Sequence, residues 1–394
     1  MAVKNLDDSL VLRNANALLS SGEFRRCDIR ISGQTISEIG DRLRNTNEVD
    51  VGGRNVLPGL IDMHTHGIGY EAVEVCALSA YAELEAAGGA TSAIPTLFAP
   101  LDEILRQLKR HRVETEELSR LKQVRGFRLE SPYLANTGAG TQKDLQPIAR
   151  ETTDAILEAG GGHIKIWDIS PELARAPEEI RYLTEKGVLC SIAHTSATIE
   201  QARIAIDAGA GLVTHLFDVF ELPKQTEAGV VPAGLVDYLL VEDRVVCEII
   251  PDGTHVSPIL VEEALRCKSP ERLALVTDSN LGAGLPPGNY TLPKGLGDIV
   301  IRDVYDGVRK VDRGMCLAGS ALTPLDGFRS FVRRFGKSLE MASRVCSRTP
   351  AQLLGLNTGE IAEGRDADLI VLDEDLNLLL TIARGTVLYR AESL

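Results

Sequence analysis

Along the first fifty-odd residues, apolar and polar side chains alternate in short runs broken by turn residues. Leu10 to Arg13, Cys27 to Ser32 and Thr35 to Ile39 read as strands, with Ser20-Ser21-Gly22 and Ser32-Gly33 as turns. The C-terminal end repeats the pattern. Ala367 to Leu372 and Leu378 to Ile382 read as strands, and Thr386 to Tyr389 follows the turn Arg384-Gly385. Between these ends the period changes, and apolar runs alternate with amphipathic helices. Helix Ala77 to Ala87 precedes strand Ala93 to Pro95, Ala176 to Lys186 precedes Val188 to Ala193, and Ile199 to Ala208 precedes Leu212 to Thr214. This alternation predicts parallel strands joined by crossover helices. About eight such units fit between Val56 and Leu354. A doubly wound open sheet is the competing arrangement, but it rarely carries β-rich segments at both chain ends. The expected fold is therefore α/β: a (β/α)8 TIM-like barrel over 56–354, with a small β-sandwich formed by 1–55 and 355–394. Gly282 to Gly297, rich in Gly and Pro, reads as a long irregular loop of the kind that is often functional.

Composition narrows the function classes. Hydrophobic residues make up 44% of the 394 and charged residues 25%, so a core of ordinary size is available. Aromatics reach only 4% against 36 Gly, which suits β-branched strands and Ala/Leu helices better than an aromatic-rich binding module. A formal charge of −14 with no basic cluster argues against a nucleic-acid partner, and an anionic substrate would need a local basic pocket. Seven scattered Cys without C-x-x-C spacing read as small buried hydrophobes in a reducing compartment. Met1 to Ser9 is polar and shows no signal peptide, and no apolar run reaches the roughly 18–20 residues that span a bilayer. The expectation is a cytoplasmic protein with no membrane partner.

Candidate chemistry concentrates at predicted strand ends. In Leu57-Pro58-Gly59-Leu60-Ile61-Asp62-Met63-His64-Thr65-His66-Gly67 the strand period puts His64 and His66 on one face, able to point two imidazoles at one ion. The chain has seven His, and three more follow apolar runs: His194 after Cys190 to Ala193, His215 after Gly211 to Thr214, and His255 after Val246 to Thr254. Glu130 ends Val124 to Leu129, and Asp278 ends Leu273 to Thr277. One carboxylate among imidazoles suits Zn²⁺, Fe²⁺ or a similar divalent ion, and the other can take a proton from water activated by that ion. For any one of these residues the plain alternative is a core His or a capping carboxylate; their shared placement is what favours a site. His111, in the charged helix Arg106 to Glu117, reads as solvated. His163 precedes a strand and belongs to the opposite end of the barrel, and Lys165 reads as structural rather than as a carbamylated metal bridge.

These motifs resemble the amidohydrolase superfamily, and more closely the N-acetylglucosamine-6-phosphate deacetylases. The likeness runs through Pro58 to Gly67, Gly89-Ala90-Thr91-Ser92 with Pro95-Thr96-Leu97, and Leu129 to Leu134. It continues in His194 to Thr198, Thr214 to Phe217, Asp252 to Val256, Leu275 to Asp278, Leu317 to Ser320 and the tail Gly359 to Leu369. The resemblance implies that Glu130, His194 and His215 hold the principal metal, and that His64 and His66 create or complete a second site, for one or two ions. It implies metal-bound hydroxide as nucleophile, with Asp278 as general base and then acid. His255 would stand against the substrate carbonyl, and Leu317 and Ala318 would touch the substrate through their backbone. A homodimer is also implied.

The chain departs from the family on the substrate side. An Asn-Ala-Met run usual after the second metal His is Asp218-Val219-Phe220 here. An Arg-Glu-Pro-Gly whose arginine binds phosphate is Thr226-Glu227-Ala228-Gly229, and a His about a dozen residues after the metal Glu is Gln142. Losing a bidentate Arg is not a neutral exchange, and only Lys143 and Lys224 lie nearby in sequence. The expected activity is removal of an acyl group, acetyl foremost, from an amino sugar such as N-acetylglucosamine 6-phosphate. The alternatives are an unphosphorylated N-acyl amine, a cyclic amide, or a catalytically silent barrel.

Overall fold

The computed structural model describes residues 9–118 and 121–394. All but the last residue of the polar Met1 to Ser9 stretch therefore lies outside the described residues.

Eight parallel strands follow one another around the barrel. We number them β1 (Leu60–Thr65), β2 (Ala90–Leu97), β3 (Phe127–Leu129), β4 (Ile164–Ile169), β5 (Leu189–Ile192), β6 (Leu212–Val213), β7 (Val246–Ile249) and β8 (Leu273–Leu275). Each pairs with its sequence neighbour. The seam between β8 and β1 is closed by the chain just beyond β8: Asp278 N–H donates to His64 O (2.9 Å) and His66 N–H to Ser279 O (2.7 Å). Val276 N–H still donates to Ile249 O of β7 at 3.1 Å, and beyond it the chain turns to make this seam, so β8 ends earlier than the apolar run suggests. The strands are buried along their length, as expected of a parallel sheet covered by helices. Trp167 of β4 stacks on Tyr133 at 5.5 Å inside this core.

Both chain ends enter one eight-stranded sheet. Leu369–Leu372 pairs antiparallel with Asn55–Pro58, which pairs parallel with Leu10–Leu18. Leu12, Ile29, Ile31, Val56, Val371 and Leu380 close a common core beneath it. Asn55–Pro58 runs directly into β1 through Gly59. A Cβ there would stand 2.1 Å from Thr91 Cγ2, so only glycine lets the sheet strand pass this close to β2. The β-rich ends thus anchor the strand that carries His64 and His66.

Two expectations need correction. Gly282 to Gly297 is not irregular throughout. Gly288–Thr291 pairs with Asp298–Ile301, then with Arg309–Lys310 and Cys316–Leu317, in a four-stranded antiparallel sheet. Leu281, Leu292, Ile299, Ile301 and Val308 give it a core of its own, and Gly295 and Gly297, at φ +73° and +87°, make its first turn. His111 is buried, not solvated. Its helix begins at Leu101, and Ile104, Gln107, Leu108 and His111 form the face turned to the barrel. His111 Nε2–H donates to Val73 O at 2.8 Å, and burial lowers its pKa. No helix among the described residues is long and apolar enough to cross a membrane.

Candidate metal centre

The rim of the barrel gathers residues that are distant in sequence. His64 lies within β1 and His66 one residue past it, on the same face. Glu130 follows β3 directly, while His194, His215 and Asp278 stand two, two and three residues beyond β5, β6 and β8. Those last three all have left-handed backbones, with φ of +45°, +24° and +47°. Non-glycine residues there cost of order 1–2 kcal/mol each, and such strain collects where a side chain must be re-aimed. At each position the strand stops and its side chain turns into the barrel mouth.

The donor atoms form two adjoining clusters that share Glu130. Oε1 lies 2.9 Å from His194 Nε2 and 3.2 Å from His215 Nε2, and the two imidazole nitrogens are 3.2 Å apart. Oε2 lies 2.9 Å from His66 Nε2 and 3.5 Å from His64 Nε2, and those nitrogens are again 3.2 Å apart. Asp278 Oδ1 stands 3.4 and 3.5 Å from the same two rings. Ligands about 2.0–2.1 Å from a tetrahedral ion stand about 3.3 Å from one another, so these separations suit a divalent cation. The chemistry agrees. Only one hydrogen fits between two facing nitrogens, while Nδ1 of His64 and of His215 is buried without a hydrogen-bond partner. His194 Nδ1–H is spent on Asn136 O at 3.0 Å, leaving Nε2 to face the cluster.

Electrostatics reinforces the arrangement. Burial opposes charge on Glu130 and Asp278, yet the surrounding imidazoles hold both carboxyls well below the usual range. Burial likewise lowers His215, but Glu130, Asp218 and Asp278 outweigh it and raise the ring to about 10. A site this hungry for positive charge takes it from protons when no metal ion is bound.

His255 belongs to neither of the clusters that share Glu130. A ring nitrogen lies within 4.8 Å of carboxylate oxygens of Asp218 and Asp278. Its Nδ1–H donates to Asp252 Oδ2 at 2.6 Å, and Asp252 Oδ1 accepts from the backbone of Thr254 and His255. Burial lowers the His255 pKa, but the Asp252 carboxylate more than reverses that.

Beneath the rim lies a buried ionic lattice absent from the sequence reading. Arg128 of β3 donates to both oxygens of Asp168 (3.0 and 3.0 Å) and of Glu248 (2.6 and 3.1 Å). It also reaches Met63 O at 3.1 Å and Thr214 Oγ1 at 2.9 Å. Glu248 Oε2 in turn accepts from His215 N–H at 3.4 Å and lies 3.6 Å from His64 Nδ1. All three charged residues are fully buried. A signal was present: Phe127-Arg128-Leu129-Glu130, Trp167-Asp168 and Cys247-Glu248 each place a charge inside an apolar strand, one facing the barrel interior with Glu130.

A cavity of about 540 Å³ opens over the rim, within the range of small-molecule sites. His66, Glu130, His194, His215, Asp218, Val219, His255, Asp278, Leu317 and Ala318 line it. Val308 binds the last stretch in place: its N–H donates to Gly319 O and its O accepts from Ala318 N–H, while Ser320 N–H reaches Asp278 O. Gln142 and Thr226 are exposed and do not line this cavity, and Lys224 pairs with Glu221 in solvent. His163 and Lys165 sit at the start of β4, at the other end of the barrel.

Comparisons with known proteins agree with this geometry. The model of the amidohydrolase family matches residues 55–388. An N-acetylglucosamine-6-phosphate deacetylase of Lysinibacillus sphaericus is 29% identical, covering 96% of this chain and 97% of that protein. An N-acetylgalactosamine-6-phosphate deacetylase of Escherichia coli O157:H7 is 30% identical over 93% of this chain and 96% of its own. The solved structure of a Mycobacterium smegmatis N-acetyl-D-glucosamine-6-phosphate deacetylase variant in complex with N-acetyl-D-glucosamine-6-phosphate superposes with a TM-score of 0.83. It is 28% identical and covers 96% of this chain and 99% of that one.

Proposed function

Because the chain belongs to the amidohydrolase family, we propose that it is a metal-dependent hydrolase that removes an acetyl group from an N-acetyl amino sugar such as N-acetylglucosamine 6-phosphate. The observation that carries this reading is the pair of donor clusters around Glu130, at separations that suit ligands of a common ion. Glu130, His194 and His215 would hold the principal cation, Zn²⁺ before Fe²⁺, and His64 and His66 with Glu130 a second. When bound, such a cation supplies Lewis acidity and lowers the pKa of water toward neutrality.

The chain's own groups do the rest. Asp278, kept ionised by the imidazoles around it, accepts a proton from the attacking water and passes it to the departing nitrogen. One water is consumed, the C–N bond breaks, and acetate and free amine leave. His255 donates a hydrogen bond to the carbonyl oxygen as negative charge builds there, with Asp252 fixing its ring. Leu317 pairs with Arg309 and Ala318 N–H donates to Val308 O, so this stretch gives the substrate a rigid backbone edge. We assign this chemistry to the barrel, 56–354, and a supporting role to the unit built from 1–55 and 355–394.

A cytoplasmic homodimer completes the reading. The segment after Val219 exposes Leu222, Val230 and Val231 at 78%, 48% and 68%, which supports burial against a second copy. The deciding experiment is acetate release from N-acetylglucosamine and from its 6-phosphate, alongside metal analysis of the purified protein. Stoichiometric metal with turnover of at least one sugar is expected; metal-free protein, or no release from either, overturns the proposal.

A further inference from the structure

The sequence leaves open which cation would receive an anionic group on the substrate. Lys143 and Lys224, nearest in sequence to the altered family positions, do not line the cavity. Two other cations do: Lys310, on a strand of the four-stranded sheet that roofs the barrel mouth, and Arg313, in the turn that follows that strand. They are the only Lys or Arg residues among the described lining residues. Neither forms an ion pair among the described residues. Lys310 Nζ donates to Leu296 O at 2.5 Å, and among the described residues Arg313 hydrogen-bonds only Ala139 O, at 3.5 Å, leaving most of its donors unused.

Their placement is informative. Ala139 adjoins Gly138, whose missing Cβ would lie 2.8 Å from His194 Cε1. With one residue spanning about 3.8 Å, these contacts put the Arg313 guanidinium no farther than about 15 Å from the His194 ring, so one small ligand in the shared cavity can span the two. The cavity's carboxylates collect at the other end. Glu130 and Asp278 belong to the donor clusters, Asp218 lies beside Asp278 and His255, and Glu74, which accepts from Phe98 N–H at 3.5 Å, lines the same cavity as His66. The cavity is thus polarised, acidic and metal-binding at the floor and basic at the roof, in a chain whose net charge is −14.

We propose that Lys310 and Arg313 form an oxyanion subsite. It would take a phosphate or carboxylate on the part of the substrate remote from the scissile amide, in place of the arginine absent at Thr226. This rests on the amide-hydrolase reading above only for which end of the ligand faces the metal. The guanidinium provides a planar pair of donors and the ammonium a point charge, a combination that suits tetrahedral or planar oxyanions.

Direct binding separates this idea from turnover. Full-length, metal-loaded protein would be titrated calorimetrically with glucosamine, glucosamine 6-phosphate and 2-amino-2-deoxyglucuronate. The same titrations would be run on Lys310→Gln, Arg313→Gln and the double variant, with Lys143→Ala and Lys224→Ala as controls. Wild type is expected to bind at least one charged probe 10- to 100-fold more tightly than glucosamine, the usual scale for charge-assisted hydrogen bonds. Whichever charged probe binds better identifies the oxyanion. The double variant should lose the preference while keeping its metal and its circular dichroism, and the controls should keep it. A wild type with no preference overturns the subsite, as does a folded double variant that retains it. Preference without acetate release from N-acetylglucosamine 6-phosphate would sink the deacetylase reading and uphold the subsite.

Discussion

Replacing Arg128 by Met tests whether the lattice under the rim holds the proposed metal ligands in place. The substitution conserves volume but removes six hydrogen bonds and leaves the carboxylates of Asp168 and Glu248 buried without their cation. Breaking a buried ion pair from one side costs about 3–5 kcal/mol. At about 2.1 cal/mol/K per residue, 394 residues unfold with an entropy of about 0.8 kcal/mol/K, so Tm should fall by about 4–6 °C. Function should suffer beyond stability, because Glu248 touches His215 N–H and lies beside His64 Nδ1. Residues of this outer layer typically carry 10- to 100-fold in metal affinity. A second readout is acid stability. Burial raises the Glu248 pKa, but Arg128 and His64 overcome it and set the carboxyl to about 2, below its ordinary 4.5. A depressed folded-state pKa contributes stability above about 4.5 that is lost as pH falls toward 2; without Arg128 that contribution should disappear. Differential scanning calorimetry between pH 3 and 7 and chelator competition for the metal measure both effects. A Tm within about 1 °C of wild type, with unchanged metal affinity, would refute the argument. Adding Asp168→Leu and Glu248→Met should recover much of the stability but not the metal affinity, because an apolar replacement of a whole buried ionic group is well tolerated.

Asp278→Asn should retain metal by elemental analysis yet lower acetate release at least about 10²-fold, the usual scale of general acid–base catalysis; near-normal turnover would remove Asp278 from its role. Gly138→Ala should weaken metal retention in a chelator titration, because its Cβ would press on His194 Cε1 from 2.8 Å at a φ of +53°; unchanged retention would mean the loop moves aside freely. Glu85 is buried near Asp62, and burial followed by the Asp62 charge raises its carboxyl from 4.5 to about 8. Its contribution to stability is full below about 4.5 and is lost as pH rises through 8. Glu85→Gln, which mimics the protonated acid, should flatten that part of the Tm–pH profile, and an unaltered slope would show that Glu85 does not titrate there.

The gathering of the candidate site's residues was largely legible because it follows strand period and strand ends. The spacing of His64 and His66 needed only a period of two, and Glu130, His194, His215 and Asp278 each follow an apolar run. The rest depends on contacts that local pattern does not encode. His111 looks solvated beside Lys109, Arg110 and Arg112, yet it falls on the stripe of Ile104 and Leu108, and the barrel covers that face. The sheet over the mouth escaped notice because two of its strands have only two residues, too few for an alternation to register. Lys310 and Arg313 become a cavity wall only through that sheet. The left-handed backbones of His194, His215 and Asp278 carry no sequence mark at all, since none is glycine.

The lattice and the rim are one electrostatic system. Four carboxylates, Glu130, Asp168, Glu248 and Asp278, converge on the top of the barrel with Arg128 as the single guanidinium among them, leaving an excess of three negative charges. Imidazoles can offset this by taking protons, which is the direction in which His64, His66 and His215 are driven. A divalent ion held there would remove that drive, offsetting two charges itself and letting the imidazoles serve as neutral donors. Metal and protons therefore compete for one set of lone pairs, and metal affinity should fall as pH is lowered. Arg128 sets how steep that competition is. Without it the excess negative charge grows, protons bind more tightly, and the metal must displace more of them at neutral pH. Its position beneath the ligands, rather than among them, lets it temper the site without occupying a coordination position.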